Sequence, residues 1–185
     1  GQQSSVSGAR AGAQLVQGDS TLFYSNGNTL RMGTLETPGD FSSTFTDTQE
    51  ITISDILGGY SYAAAGGYIG TTNNAHLSFD GTKLFLSFNH GFSVDANNVF
   101  TVAAGSTRKG GQVVLDVPTA FDLTSISSSD LISWDSFNYG IQSEQIQSQM
   151  NDIGTLLYVM NGKYPDKIYQ YSLSTPWDLS TKTLL

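Results

Sequence analysis

Two histidines, His76 and His90, sixteen carboxylates and no cysteine are the stock from which this chain could build a metal site or a proton-transfer centre. Without thiolates, a zinc site would need both imidazoles plus carboxylates. The spacing does not gather them: His76 sits beside Leu77 ahead of a strand, and His90 opens a separate segment. Both are read as polar residues at strand edges. No Gly-x-Ser-x-Gly elbow occurs, nor a glycine-rich phosphate cradle with its lysine. Asp95-Ala96-Asn97-Asn98 and Asn151-Asp152 carry oxygen donors suited to calcium, yet lack the spaced ligand loop that calcium sites use. The three aspartates Asp40, Asp122 and Asp178 stand at matching places in a repeated phrase, which a turn role explains and a single active centre does not. The expectation is a protein that is not an enzyme, with no catalytic, cofactor-binding or metal-binding residues and no cofactor.

The repeated phrase is clearest at Asp166 to Thr181, where alternating Ile168, Tyr169, Gln170, Tyr171, Ser172 and Leu173 run into Thr175-Pro176-Trp177-Asp178. Period-two alternation of aromatic and branched residues predicts a half-buried strand. Proline withholds a ladder donor and aspartate bonds a nearby amide, so Thr-Pro-x-Asp predicts the turn that ends it. The copy at Asn28 to Ser43 has Thr37-Pro38-Gly39-Asp40, and the copy at Gly111 to Ser125 has Thr119-Ala120-Phe121-Asp122. The apolar residue after the aspartate, Leu179 or Phe41, is expected to tuck under its sheet.

A second element precedes each copy. Thr21 to Ser25, Lys83 to Ser87 and Leu156 to Met160 match as strands, each after a small turn at Gly18-Asp19-Ser20, Asp80-Gly81-Thr82 or Ile153-Gly154-Thr155. Asp-Gly between apolar runs is a strong hairpin signal. Leading strands are predicted at Gln14 to Val16, Leu77 to Phe79 and Ile146 to Met150, and fourth strands at Glu50 to Ile56 and Asp130 to Phe137. After the third phrase only Lys182 to Leu185 remain, so the last unit is expected to be incomplete.

Leu22 to Asp40 spans 18 positions and Leu157 to Asp178 spans 21, but Leu84 to Asp122 spans 38. The second unit therefore carries an insertion of roughly 20 residues, at about 89–110, with a strand at Val99 to Ala103 and a protruding hairpin expected. This is the first candidate for a loop that touches a partner, with a solvated decoration as the alternative. Gly58 to Gly70 is the other unusual segment, its Tyr60, Tyr62 and Tyr68 set among small residues, suiting either tight packing or a binding surface.

The fold class that follows is all-β, in tandem antiparallel units, with residues 1–13 an extended or flexible arm and 14–185 the repeat domain. Only 13% of residues are charged, about half the roughly 25% of an average domain, which disfavours helical surfaces. A net charge of -8 and a pI near 4.4 exclude a nucleic-acid groove built on clustered lysine and arginine. No apolar run is long enough for membrane insertion as a helix.

Asp80-Gly81-Thr82-Lys83-Leu84-Phe85 and Tyr171-Ser172-Leu173-Ser174-Thr175-Pro176-Trp177-Asp178-Leu179-Ser180-Thr181, taken together, resemble a β-propeller repeat of the kind associated with tail-associated and other virion proteins of bacteriophages and with related bacterial surface proteins. The resemblance covers about Gln14 to Thr181, with Trp177 replaced by Gly39 and Phe121 in the other copies. It implies β-propeller-like blades, three of them recognisable. Propellers need four to eight blades, so it also implies a divergent fourth blade, a ring shared between chains, or part of a longer protein. The function it implies is a non-enzymatic virion structural protein, a phage tail or fibre component in assembly or host attachment. Its partners would be other copies of itself, other virion proteins and a host-surface glycan. The alternatives are a carbohydrate-binding, lectin-like propeller with Tyr60, Tyr62, Tyr68 or Trp134 as stacking platforms, and a secreted hydrolase with paired carboxylates.

Overall fold

In the computed structural model, the described residues are 11–26, 28–40, 42–57, 72–88, 92–97, 100–102, 109–138, 146–161 and 167–185. They form three four-stranded antiparallel sheets and one short hairpin. The first sheet is β1 (Ala11–Val16), β2 (Thr21–Asn26), β3 (Thr29–Leu35) and β4 (Phe45–Thr52), in that spatial order. A single helical turn, α1 (Ile53–Ile56), follows it. The second sheet joins β5 (Thr72–Leu77), β6 (Lys83–Phe88), β9 (Lys109–Asp116) and β10 (Leu131–Asn138). The hairpin of β7 (Phe92–Val94) and β8 (Phe100–Val102) lies between β6 and β9 in the chain. The third sheet is β11 (Ile146–Met150), β12 (Leu156–Asn161), β13 (Lys167–Leu173) and β14 (Lys182–Leu184).

The all-β class and the three units therefore stand, with local corrections. The third unit is complete in strand number, because Lys182 to Leu184 pair with Leu173 to Tyr171. The first strand begins at Ala11, inside the segment expected to be an arm. The fourth strand of the first unit ends at Thr52, not Ile56. Ile53, Ile56 and Leu57 instead stand at the i, i+3, i+4 spacing of a helical turn and are all fully buried, a grouping a strand would split between two faces. Ser78 and Phe79 leave the strand early: the Ser78 hydroxyl accepts from the amides of Thr82 and Lys83, which closes the turn and leaves Phe79 85% exposed. The inserted hairpin folds inward at Phe100, which is 2% exposed and packs with Val94 on the core, so the expectation of a protruding loop fails at these residues. Gly58 to Gly70 lies outside the described residues, as do residues 1–10 and 103–108.

The three sheets are stacked in chain order. One core cluster joins Phe23, Leu30 and Met32 of the first sheet to Leu84, Leu86, Val113 and Leu115 of the second. Another joins Phe85 and Val114 of the second sheet to Leu157 and Val159 of the third. Alternation along β6 thus sends Leu84 and Leu86 backward and Phe85 forward. A middle sheet covered on both faces requires a strand that is apolar almost throughout, and Leu-Phe-Leu at 84–86 supplies it. The first strands β1, β5 and β11 lie beside their neighbours in succession.

Cross-strand register defines two faces that recur in every sheet. The forward face carries Gln14, Phe23 and Met32 in the first, His76, Phe85 and Val114 in the second, and Gln149, Tyr158 and Gln170 in the third. The back face carries Leu22, Leu84 and Leu157 at one equivalent position. Forward face meets back face at each of the two joints.

Candidate functional site

The Thr-Pro-x-Asp phrase folds the same way three times. The aspartate Oδ1 accepts from the amide two residues on, at 2.8 Å for Asp40, 3.0 Å for Asp122 and 3.0 Å for Asp178. It also accepts from that residue's hydroxyl, on Ser42, Thr124 or Ser180. The following hydroxyl, on Ser43, Ser125 or Thr181, donates to the aspartate carbonyl and accepts from the amide of the opening threonine. Ala120 occupies the proline position without altering these bonds. Accepting from Ser42 holds the Asp40 carboxyl below its usual range. All three aspartates are committed to turns, the role their spacing predicts. Leu179 is fully buried as expected, and so is Leu123 at the same place in the second unit, whereas Phe41 lies outside the described residues.

The residue before each aspartate adopts a positive φ, at 72° for Gly39, 61° for Phe121 and 66° for Trp177. Its amide donates to the leading hairpin turn, at the carbonyls of Asp19, Gly81 and Gly154 respectively. These turn residues also have positive φ. In the second and third units the aromatic ring lies on the glycine: a Cβ placed on Gly81 or Gly154 would come within 2.5 Å of Phe121 or Trp177 ring atoms. In the first unit Gly39 leaves that space open, and the turn position holds Asp19. Ring and turn side chain exclude one another, so the pairs are aromatic with glycine or glycine with aspartate.

Each of the later phrases is gripped by the fourth strand of the preceding sheet. Gln49 on β4 donates to the Phe121 carbonyl at 3.1 Å and accepts from the Leu123 amide at 2.8 Å. Ser133 on β10 donates to the Trp177 carbonyl at 2.9 Å and accepts from the Leu179 amide at 3.0 Å. The two side chains differ in size and chemistry but satisfy the same pair of backbone groups. Sequence reading missed both, because a bulge offsets each fourth strand before the grip, between Met32 and Gly33 on β3 against β4 and between Leu131 and Ser133 on β10. A search for a hydrogen-bonding side chain about ten residues after each aspartate would have flagged them.

The remaining candidates scatter. His76 is buried on the forward face of the second sheet, with Nε2 3.0 Å from Asp152 Oδ1 in the third. Burial pushes its imidazole below the ordinary value, against the pull of Asp152. Asn151 closes its own turn by accepting from Thr155 and Leu156, and Asp95 accepts from the amide of Asn97. Neither gathers a cation shell, and among the described residues no cluster of three or more histidine, aspartate or glutamate side chains could hold a metal ion. Trp134 is 38% exposed on β10. His90, Asn98, Tyr60, Tyr62 and Tyr68 lie outside the described residues.

The forward face of the third sheet is the open surface. Tyr158 and Met160 are each 39% exposed there and Ile168 is 71% exposed, whereas Phe23 and Phe85, which hold the place of Tyr158 in the other sheets, are fully buried. An open cavity of about 380 Å³ at its margin is lined by Gln149, Met150, Asn151, Asp152 and Tyr158. Among the described residues no helix is long and apolar enough to cross a membrane.

No family model and no curated protein matches the chain. Among solved structures, it is similar to a functionally unknown protein from Desulfotomaculum acetoxidans DSM 771, at 11% identity and a TM-score of 0.29. That similarity covers 92% of this chain and 66% of the other.

Proposed function

We propose that the chain is a non-enzymatic structural protein of a virus particle, a phage tail or fibre component acting in assembly or host attachment, whose three sheets are blades of a β-propeller-like array. The observation that carries this reading is the repeated joint. The second and third sheets each seat their turn phrase on the fourth strand of the sheet before, through backbone groups that any further unit of the same kind also presents. Such a device serves extension and shape. The succession of β1, β5 and β11 as neighbouring first strands supports this reading, since it suits blades set around a common axis. The resemblance of the Thr-Pro-Trp-Asp phrase to virion propeller repeats supplies the setting, which is an extracellular particle.

The test is to isolate particles from a producing culture and quantify the chain by mass spectrometry. The expected result is a fixed, multiple copy number per particle and loss of tails or of host attachment when the gene is disrupted. A chain found only free in solution, with intact and infectious particles in the disruptant, overturns the reading. A carbohydrate-binding role is favoured by one separate observation, the cavity where Tyr158 adjoins Gln149, Asn151 and Asp152. An aromatic ring beside amide and carboxylate groups suits a sugar, and glycan-array binding lost in Tyr158→Ala and in Trp134→Ala would support that role, while silence across glycan classes would remove it.

A further inference from the structure

We propose that the forward face of the third sheet is a pairing surface for a second copy of this chain, the two copies meeting face to face about a twofold axis. The inference builds on the reading of the chain as an assembly component and names the surface and partner that reading leaves open.

The repeat itself says what this face is for. The forward faces of the first and second sheets are each covered by a whole sheet, so that Phe23 and Phe85 are fully buried. In the third sheet the same register positions carry Tyr158, with Met160 and Ile168 one pair further along. These three form an apolar patch on the sheet, the kind of exposed surface that marks an interaction site.

The composition of the face selects a copy of the same chain. Around the patch stand Gln147, Gln149 and Gln170, and the carboxylate of Asp152 stands at its margin, lining the cavity beside Tyr158 and facing His76 at 3.0 Å. Copies of a chain with net charge -8 repel one another, and they approach at less cost through amide and apolar side chains than through carboxylates. An amide both donates and accepts, so a row of glutamines complements itself, as a twofold contact demands. Gln14, which holds the place of Gln149 in the first sheet, shows such an amide at work between sheets. It donates to the Leu77 carbonyl at 2.9 Å and accepts from the Leu77 amide at 3.0 Å.

The back face of the first sheet does not offer this patch an apolar partner surface. On the back face of the first sheet Leu22 and Tyr24 are already buried. The Phe45 ring fills the space over Gly33, the register partner of Leu22, and packs edge-on against Tyr24 at 5.8 Å between centroids. Arg31 binds Asp47 at 3.1 Å and Glu50 at 2.8 Å, and the Tyr24 hydroxyl donates to Asp47 at 2.9 Å. A third-sheet face arriving there would meet charged groups. Like therefore pairs with like, and the contact closes at two.

Sedimentation equilibrium and small-angle scattering on the full chain test this, with Ile168→Lys as the disrupting variant and Phe79→Lys as the control for general apolar stickiness. The expected result is a wild-type dimer, a dissociation constant raised by about tenfold or more in Ile168→Lys, and no change in Phe79→Lys. Unchanged circular dichroism and melting would show that Ile168→Lys still folds. The chain has no cysteine, so Gln170→Cys carries a single spin label and should give one intermolecular distance. A monomeric wild type, a dimer indifferent to Ile168→Lys, an association lost equally in Phe79→Lys, or a mass that grows without limit would each overturn the pairing. A monomer that is nonetheless found in particles sinks the pairing alone, whereas a twofold dimer absent from every particle sinks the virion role alone.

Discussion

The joint between the first and second sheets and the joint between the second and third obey one geometry with two chemistries. At the first, Gln14 bonds the Leu77 backbone and Gln49 grips the Phe121 turn. At the second, His76 faces Asp152 and Ser133 grips the Trp177 turn. The second joint also carries a Lys182–Asp135 ion pair and side-chain bonds from Asn74 and Gln112 to Ser148. What recurs is the backbone groups that must be satisfied, since a buried amide or carbonyl left unpaired costs more than any one bond contributes. Which side chain satisfies them is free to vary. The difference teaches that the repeat is a specification of unmet backbone valence and apolar surface more than of residue type.

The sharpest way to break the comparison is to remove the ring from the second joint. Trp177→Gly gives the third unit the geometry of the first, and should cost about 3 kcal/mol in chemical denaturation, from lost core packing partly offset by relief of the positive φ. Exchanging the turn residues comes next. Gly154→Asp places a Cβ against the Trp177 ring and should cost about 2 kcal/mol, while the reciprocal Asp19→Gly, facing open space beside Gly39, should leave stability within about 1 kcal/mol of wild type. Equal penalties for the two would refute the exclusion between ring and turn side chain. Ser133→Ala and Gln49→Ala should each cost about 1–2 kcal/mol, for two backbone groups left without their partner. A penalty at only one would show that the joints differ in more than chemistry.

The smallest effect is a matter of pH. The folded-state value of His76 is depressed by burial, so the unfolded chain binds its proton more readily. Its contribution is fully present above the unfolded value of about 6.5 and is lost as pH falls toward the folded one, with a limiting slope of about 1.4 kcal/mol per pH unit. Unfolding followed from pH 8 to pH 5 should show this decline in wild type and not in His76→Gln, which makes the second joint resemble the first. Parallel curves would remove His76 as the source.

Much of the fold was legible because turn chemistry is local. Asp-Gly at 80–81 and the three Thr-x-x-Asp phrases each fall at a turn between strands, and Ile146 to Met150 matches its strand residue for residue. The misreadings arise where a long-range contact decides. Ile53, Ile56 and Leu57 satisfy period two poorly and a helical turn well, yet only the core beneath them selects the turn. Phe100 reads as part of a protruding loop until Val94 and the first core cluster fold it back. The inter-sheet grips were illegible for a related reason. Gln49 and Ser133 share a position in space and none in residue type, and the bulges before them break the sequence register by which repeats are aligned.

The ring seated on a hairpin glycine also constrains the order in which such units can change. A unit of the Trp177 kind cannot first gain a side chain at Gly154, because the ring occupies the site; it must lose the ring and pass through a loosened state before the turn can diversify. A unit of the Gly39 kind faces the opposite one-way gate, since an aromatic residue can enter only after Asp19 has given way to glycine. Paired substitution at two positions some twenty to forty residues apart is thus the mark this contact leaves on any chain that carries it.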